Sequence, residues 1–313
     1  MQEKKVDSKP ILLLGSGGLS YSIAVCLLHA GHDIHVCTPD AEAAKTAIAL
    51  YLSEMSEEVP CSGQITFLQV LSSNIFYEGA MAITEEDADS KKRTVAMIEN
   101  YLLPDAFIAI NTESIGLDAV QAAAKHPERV IGLNWTEPAH TTRFLEIIKN
   151  SCTSSAVYQR VEALSMQWSK DAYTVENFGV RSRLLSALIR EASYLVENGY
   201  ASVEDIDRAC RNDAGYYLPF AGNFRYMDLM GTYAYGMVMK DLNPDLSTET
   251  SLPGFFKAIV EEGALGIENG RGFYSYTQDE AAYWRNMFRE YSYQIEKVID
   301  KYPFNYKQNG THS

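Results

Sequence analysis

The chain has 313 residues, 46% of them hydrophobic, with 41 acidic against 27 basic side chains and a formal net charge of −14. That length makes one large domain or two of medium size, and the acidic balance argues against a nucleic-acid partner or an anionic membrane surface, both of which ask for a basic face. The apolar runs, such as Ile11–Leu14 and Ile23–Leu28, are far shorter than the roughly 20 residues of a spanning helix. Met1–Pro10 is charged, without the apolar stretch of a secretory signal. The five cysteines (Cys26, Cys37, Cys61, Cys152, Cys210) are scattered and form no CxxC pair, so neither a disulfide framework nor a metal site is expected. A soluble cytoplasmic protein is the expectation.

Lys9–Leu14 is an apolar strand that runs straight into Gly15-Ser16-Gly17-Gly18-Leu19-Ser20. Ile23, Ala24, Leu27 and Leu28 then recur at helical spacing, and Gly31 reads as the C′ residue that ends the helix. Asp33–Cys37 is a second strand, which completes strand, glycine turn, helix and strand in about 30 residues, the length of a βαβ unit. Further strands are predicted at Ile65–Val70, Gly79–Ile83, Phe107–Asn111, Val130–Asn134 and Leu145–Lys149, with helices at Ala41–Met55, Ser90–Leu102 and Ser154–Ser169. This alternation implies a mostly parallel sheet covered on both faces. Near Val175 the texture changes. From Arg181 the pattern is helical, with helices at Arg183–Asn198 and Ser202–Cys210, the latter opened by Ser202 and Asp205 as a capping box. The predicted organisation is a nucleotide-binding domain over 1–176 and a helical domain over 177–313, with a frayed tail after Pro303.

A glycine turn between a strand and a helix cradles phosphate. The first glycine permits the turn, the second lets the backbone approach the pyrophosphate, and the third position allows close helix–strand packing. Gly15 and Gly17 fill the first two roles, Ser20 stands at the third, and Gly18 and Leu19 supply amides of the helix's first turn. The acid that usually reads the ribose is absent. The second strand ends in Thr38-Pro39-Asp40, so Thr38 can meet a ribose hydroxyl, or Asp40 can reach back. NAD is the expected cofactor; NADP is not excluded.

Several stretches, in order and at family spacing from Lys9 to Tyr276, resemble the 3-hydroxyacyl-CoA dehydrogenase family. They are Asn111-Thr112-Glu113-Ser114, Gly132-Leu133-Asn134-Trp135-Thr136-Glu137-Pro138, Phe144-Leu145-Glu146-Ile147-Ile148, Phe178-Gly179-Val180-Arg181-Ser182-Arg183-Leu184-Leu185 and, most specific, Gly263-Ala264-Leu265-Gly266-Ile267-Glu268-Asn269-Gly270-Arg271-Gly272-Phe273-Tyr274. The resemblance implies a Rossmann-type doubly wound domain followed by an all-helical dimerisation domain like the C-terminal domain of 6-phosphogluconate dehydrogenase. It also implies a homodimer, hydride transfer at the 3-hydroxy or 3-oxo carbon of an acyl substrate, and a nicotinamide end attended by Glu86, Lys91 and Asn111.

The family's catalytic residues are mostly replaced. Its histidine falls on Asn134, its serine on Glu113 and its asparagine on Ser182; only the glutamate, Glu146, is kept. An asparagine cannot accept a proton at neutral pH, and loss of a general base costs about 10²–10⁴-fold in rate. Three readings follow. Glu113 and Glu146 form a rewired acid–base pair, with burial raising one of the two; or the fold is kept as a catalytically silent nucleotide- or partner-binding module; or His140, in a polar loop expected to be exposed, stands in as base. A CoA-linked substrate is less well supported than the fold, because Ala41–Gly63 is short for the family's CoA-binding helices and carries Glu42, Glu54, Glu57 and Glu58 beside Lys45. Glu146 has a plainer role open to it, pairing with Arg143 or Arg183. The aromatic stretch Tyr216–Asp228 suits either a substrate lid or an interface.

Overall fold

A computed structural model describes residues 9–55, 62–72 and 74–303, and the chain divides into two units, Met1–Ser182 and Arg183–Ser313. The tail after Pro303 and the charges Glu57 and Glu58 lie outside the described residues.

The first unit opens with β1 (Ile11–Leu14), α1 (Gly17–His29), β2 (Ile34–Cys37), α2 (Ala41–Glu54), β3 (Ile65–Leu68) and β4 (Tyr77–Ala82). It continues through α3 (Ala88–Ile98), β5 (Leu102–Ile110), α4 (Leu117–Gln121), β6 (Val130–Asn134), β7 (Phe144–Lys149), α5 (Ser155–Gln167) and β8 (Asp171–Glu176). The eight strands form one sheet in the order β3-β2-β1-β4-β5-β6-β7-β8, parallel except where β6 meets β7. Alternation along β1 sends Ile11 and Leu13 to one face and Leu12 to the other, so each face buries its own apolar cluster. One cluster packs under α1, α2 and α5 around Phe107 and Trp168, and the other under α3 and α4 around Tyr77 and Ile98. This is the doubly wound, two-faced sheet that the alternation of elements implies.

Boundaries moved in several places. The helix read as Ser90–Leu102 stops at Ile98, followed by a 3-10 turn, and Leu102 already begins β5, where it pairs with Tyr77 across an irregular register. β8 and the five-residue α4 were not foreseen. β8 is a sheet-edge strand whose Tyr173 and Thr174 stay exposed, so it lacks the apolar run of its neighbours. Gly31 does sit past the end of α1 at φ 85°, with its amide bonded to Leu28 O at 3.0 Å.

The second unit is helical. α6 (Val180–Glu197) begins in the last residues of the first unit, followed by α7 (Val203–Ala209), α8 (Gly215–Met230), α9 (Thr232–Leu242), α10 (Gly254–Glu261) and α11 (Gln278–Lys301). The Ser202–Asp205 capping box is formed, and a second, Thr277–Glu280, opens α11. The aromatic segment Tyr216–Asp228 lies within α8, which kinks at Gly222 (φ 64°). No described helix is long and apolar enough to cross a membrane, and no group of three or more His, Cys, Asp or Glu that could hold a metal occurs among the described residues.

Candidate active site

The glycine turn is built for close backbone approach. Gly15 has φ 152°, and a Cβ there would lie 2.5 Å from Ser20 Oγ and 2.9 Å from Ile83 O. Gly17 has φ 86°, a conformation that favours glycine. α1 starts at Gly17 with no capping bond from the Ser16 side chain and no acid in its first turn, which leaves the Gly18 and Leu19 end of the helix without a side-chain anion of its own. Ser20 is fully buried and donates to Ser16 O at 3.2 Å, tying the turn together.

Beyond β2, Thr38 is buried and its Oγ1 has no hydrogen-bond partner among the described residues. Asp40 does not reach back towards the cradle: its carboxylate accepts from the Ala43 amide at 2.9 Å and caps α2. A helix terminus with no cap of its own, a glycine turn and an orphaned hydroxyl suit a dinucleotide, with Gly15 to Ser20 at the pyrophosphate and Thr38 at the ribose.

At the carboxyl ends of β4 and β5 a buried cation organises the chain. Lys91 is fully buried; its ammonium donates to Asn111 O (2.7 Å) and Thr84 Oγ1 (3.1 Å) and pairs with Glu86 at 3.0 Å. The other Glu86 oxygen accepts the amides of Glu113 (2.9 Å), Ser114 (2.7 Å) and Ile115 (2.9 Å). Burial works to raise the Glu86 carboxyl, but the Ser114 and Ile115 amides and the Lys91 ammonium outweigh it and hold the group below the usual glutamate range. These are not the solvated surface charges that a helix-opening Glu and Lys suggest; they fix the turn that presents Glu113.

Asn134, Glu146 and Tyr173 form one row across three adjacent strands, each opposite the next in register. Asn134 is fully buried. Its amide donates to Thr112 O (2.7 Å) and Glu146 Oε2 (3.0 Å), and its oxygen accepts from the Thr112 amide (2.8 Å). Glu146 is equally buried, and Oε1 accepts from the Tyr173 hydroxyl (2.8 Å) and the amides of Val180 (2.8 Å) and Arg181 (3.1 Å). Burial and then the bond to Glu146 push the Tyr173 phenol far above its ordinary range. Gly179 makes room for this row, since a Cβ there would lie 2.6 Å from Glu146 Oε2.

Glu113 stands apart from that row. It is half-buried, its carboxylate receives the Arg181 guanidinium (3.1 and 3.2 Å), and the Ser182 hydroxyl donates to it. Glu113 and Glu146, expected as a rewired acid–base pair, each have their own donors, with Arg181 contributing its backbone amide to one and its side chain to the other. The bonds to Glu146 in this row come from Asn134, the Tyr173 hydroxyl and the Val180 and Arg181 amides. His140 is buried rather than exposed, in a 3-10 turn where its ring stacks on Tyr51 at 4.8 Å.

Tyr173 and Arg181 went unremarked as site residues in the sequence. Tyr173 lies on the unforeseen β8, while Arg181 stands beside Ser182 in the Phe178–Leu185 stretch and could have been read from that adjacency.

A glycine turn opening a helix, at the carboxyl ends of a doubly wound, mostly parallel sheet and followed by a helical second unit, defines a dinucleotide-binding protein of the Rossmann class. Residues 11–178 match the NAD binding domain of 3-hydroxyacyl-CoA dehydrogenase, and residues 180–276 match that enzyme's C-terminal domain. The chain belongs to the 3-hydroxyacyl-CoA dehydrogenase family, and its cofactor is NAD.

Among relatives, a 5-formyl-3-hydroxy-2-methylpyridine 4-carboxylate 5-dehydrogenase from Mesorhizobium japonicum is 26% identical over 286 residues, covering 86% of this chain and 91% of its own. A 3-hydroxybutyryl-CoA dehydrogenase from Mycobacterium tuberculosis is 28% identical over 281 residues, covering 84% and 97%. A crystal structure of 5-formyl-3-hydroxy-2-methylpyridine 4-carboxylic acid 5-dehydrogenase superposes with a TM-score of 0.83 at 22% identity, over 93% of this chain and 97% of that one.

Proposed function

We propose that the chain is an NAD-dependent oxidoreductase acting at the 3-hydroxy or 3-oxo carbon of an acyl substrate, with Glu113 as its proton-accepting group. The observation that supports this is the division of labour between the carboxylates. Asn134 and Glu146 make all their hydrogen bonds within the protein and are fully buried, whereas Glu113 is half-exposed and already hydrogen-bonded by a serine hydroxyl. NAD, when bound, supplies the hydride acceptor or donor.

In this reading the Ser182 hydroxyl hydrogen-bonds the substrate oxygen, and the proton released there passes to Glu113. Arg181 holds that carboxylate in place. Glu86, through the Glu113 to Ile115 amides, holds the turn in place. A carboxylate is in general a weaker base than imidazole, so turnover is slower than a histidine would give. The relatives' names include both a CoA thioester and a pyridine carboxylate as substrates. The Glu42–Lys45 ion pair on α2 leaves little positive charge there for CoA phosphates. The exposed apolar faces of the second unit support a homodimer.

The saturation of Asn134 and Glu146 also favours a second reading, a catalytically silent NAD-binding homologue. Calorimetry with NAD⁺ and NADH, followed by turnover assays on 3-hydroxybutyryl-CoA and on free 3-hydroxy acids, separates the two. Micromolar binding with turnover supports the enzyme; binding without turnover on any 3-hydroxy or 3-oxo substrate supports the silent homologue.

A further inference from the structure

The connection between β6 and β7 is tied to α1. Its Ala139 amide donates to Ser22 Oγ at 3.0 Å, and its Ala139 and Thr142 carbonyls accept the Lys170 ammonium. This places the Glu137 carboxylate against Gly18, the second residue of α1, so closely that a Cβ at Gly18 would collide with Glu137 Oε1 and lie 2.8 Å from Cδ. Two other helices of the first unit carry their own anion at the N-cap: Asp40 caps α2 and Asp87 caps α3. α1 has neither a capping side chain nor an acid in its first turn, and the carboxylate beside it comes instead from a residue more than a hundred positions away.

We infer that Glu137 is an internal occupant of the anion-binding end of α1, and that its carboxylate sets the affinity for dinucleotide. A pyrophosphate and a carboxylate cannot both hold this terminus without repulsion, so the cofactor enters by displacing Glu137. The inference rests on the reading that the Gly15 to Ser20 turn receives the pyrophosphate.

The test is calorimetric titration of the full chain and of Glu137→Gln with NAD⁺, ADP-ribose and adenosine. Glu137→Gln is expected to bind NAD⁺ and ADP-ribose about tenfold more tightly, ~1.4 kcal/mol, with adenosine unchanged because it carries no phosphate. Glu137→Ala should shift the same way, and because Glu137 is exposed both variants should stay folded, with at most a small drop in melting temperature from the anion lost at the helix terminus. Equal or weaker binding of NAD⁺ by both variants overturns the inference while leaving the cofactor site intact. Failure of NAD⁺ and ADP-ribose to bind any of the three proteins overturns the inference together with the reading beneath it. An equal gain for adenosine overturns the role of the pyrophosphate.

Discussion

The two units of this chain bury their side chains to very different degrees. The first holds two continuous apolar clusters, one on each face of its sheet, and even its charged residues Lys91 and Glu146 are fully enclosed. In the second, only Ser193, Ala221, Ser247, Ala281 and Ser292 are buried among the described residues, while Phe224 and Tyr233 remain 80% and 82% exposed. A helical unit that encloses so little of its own apolar surface has a weak core by itself. The first unit is stabilised from within; the second presents the surface through which we propose that two copies associate.

Core truncation should separate the two most sharply. Phe107→Ala empties a site at the centre of the first unit and should cost about 4 kcal/mol, read as an earlier urea midpoint in the fluorescence of Trp135 and Trp168, which pack together there. Glu86→Gln should cost about 3 kcal/mol, because it removes the carboxylate partner of a buried ammonium; the same unfolding experiment checks it.

In the second unit, Phe224→Asp with Tyr233→Asp should convert a dimer to a monomer by light scattering, weakening association by about 2 kcal/mol. The Trp135 and Trp168 transition should stay in place. A parent protein that is already monomeric would break the contrast.

The smallest effect concerns pH. Burial, ahead of every other influence, lowers His32 and His35 below the ordinary histidine value of 6.5. The folded state therefore binds fewer protons than the unfolded one, and this contribution to stability is present above pH 6.5 and lost as the pH falls below it. The first unit should melt at a lower temperature at pH 5.5 than at pH 7.5, and His35→Gln should narrow that difference.

Much of the architecture is legible in the sequence because it rests on local signals. Gly15 and Gly17 after an apolar run, Gly31 past a helical pattern, and Ser202 three residues before Asp205 each act through backbone conformation or capping within a few positions. The site is less legible. Asn134, Glu146 and Tyr173 meet only because three strands register side by side, and β8 lacks the apolar periodicity that would announce it. Glu113 was visible as a substitution, but its partner Arg181 lies 68 residues away, and no spacing in the sequence couples them. Burial of His140 depends on Tyr51 of α2, another contact that sequence distance conceals.

The proposed chemistry turns on Glu113 as the proton-accepting group. The most direct test is to compare kcat for the parent and Glu113→Gln on one oxidisable 3-hydroxy substrate, with the NAD⁺ dissociation constant measured on both. The account predicts a loss of at least 100-fold in kcat with NAD⁺ affinity unchanged within about twofold, since the substitution keeps the side chain's size and hydrogen-bonding shape. Equal turnover by the two proteins would contradict it.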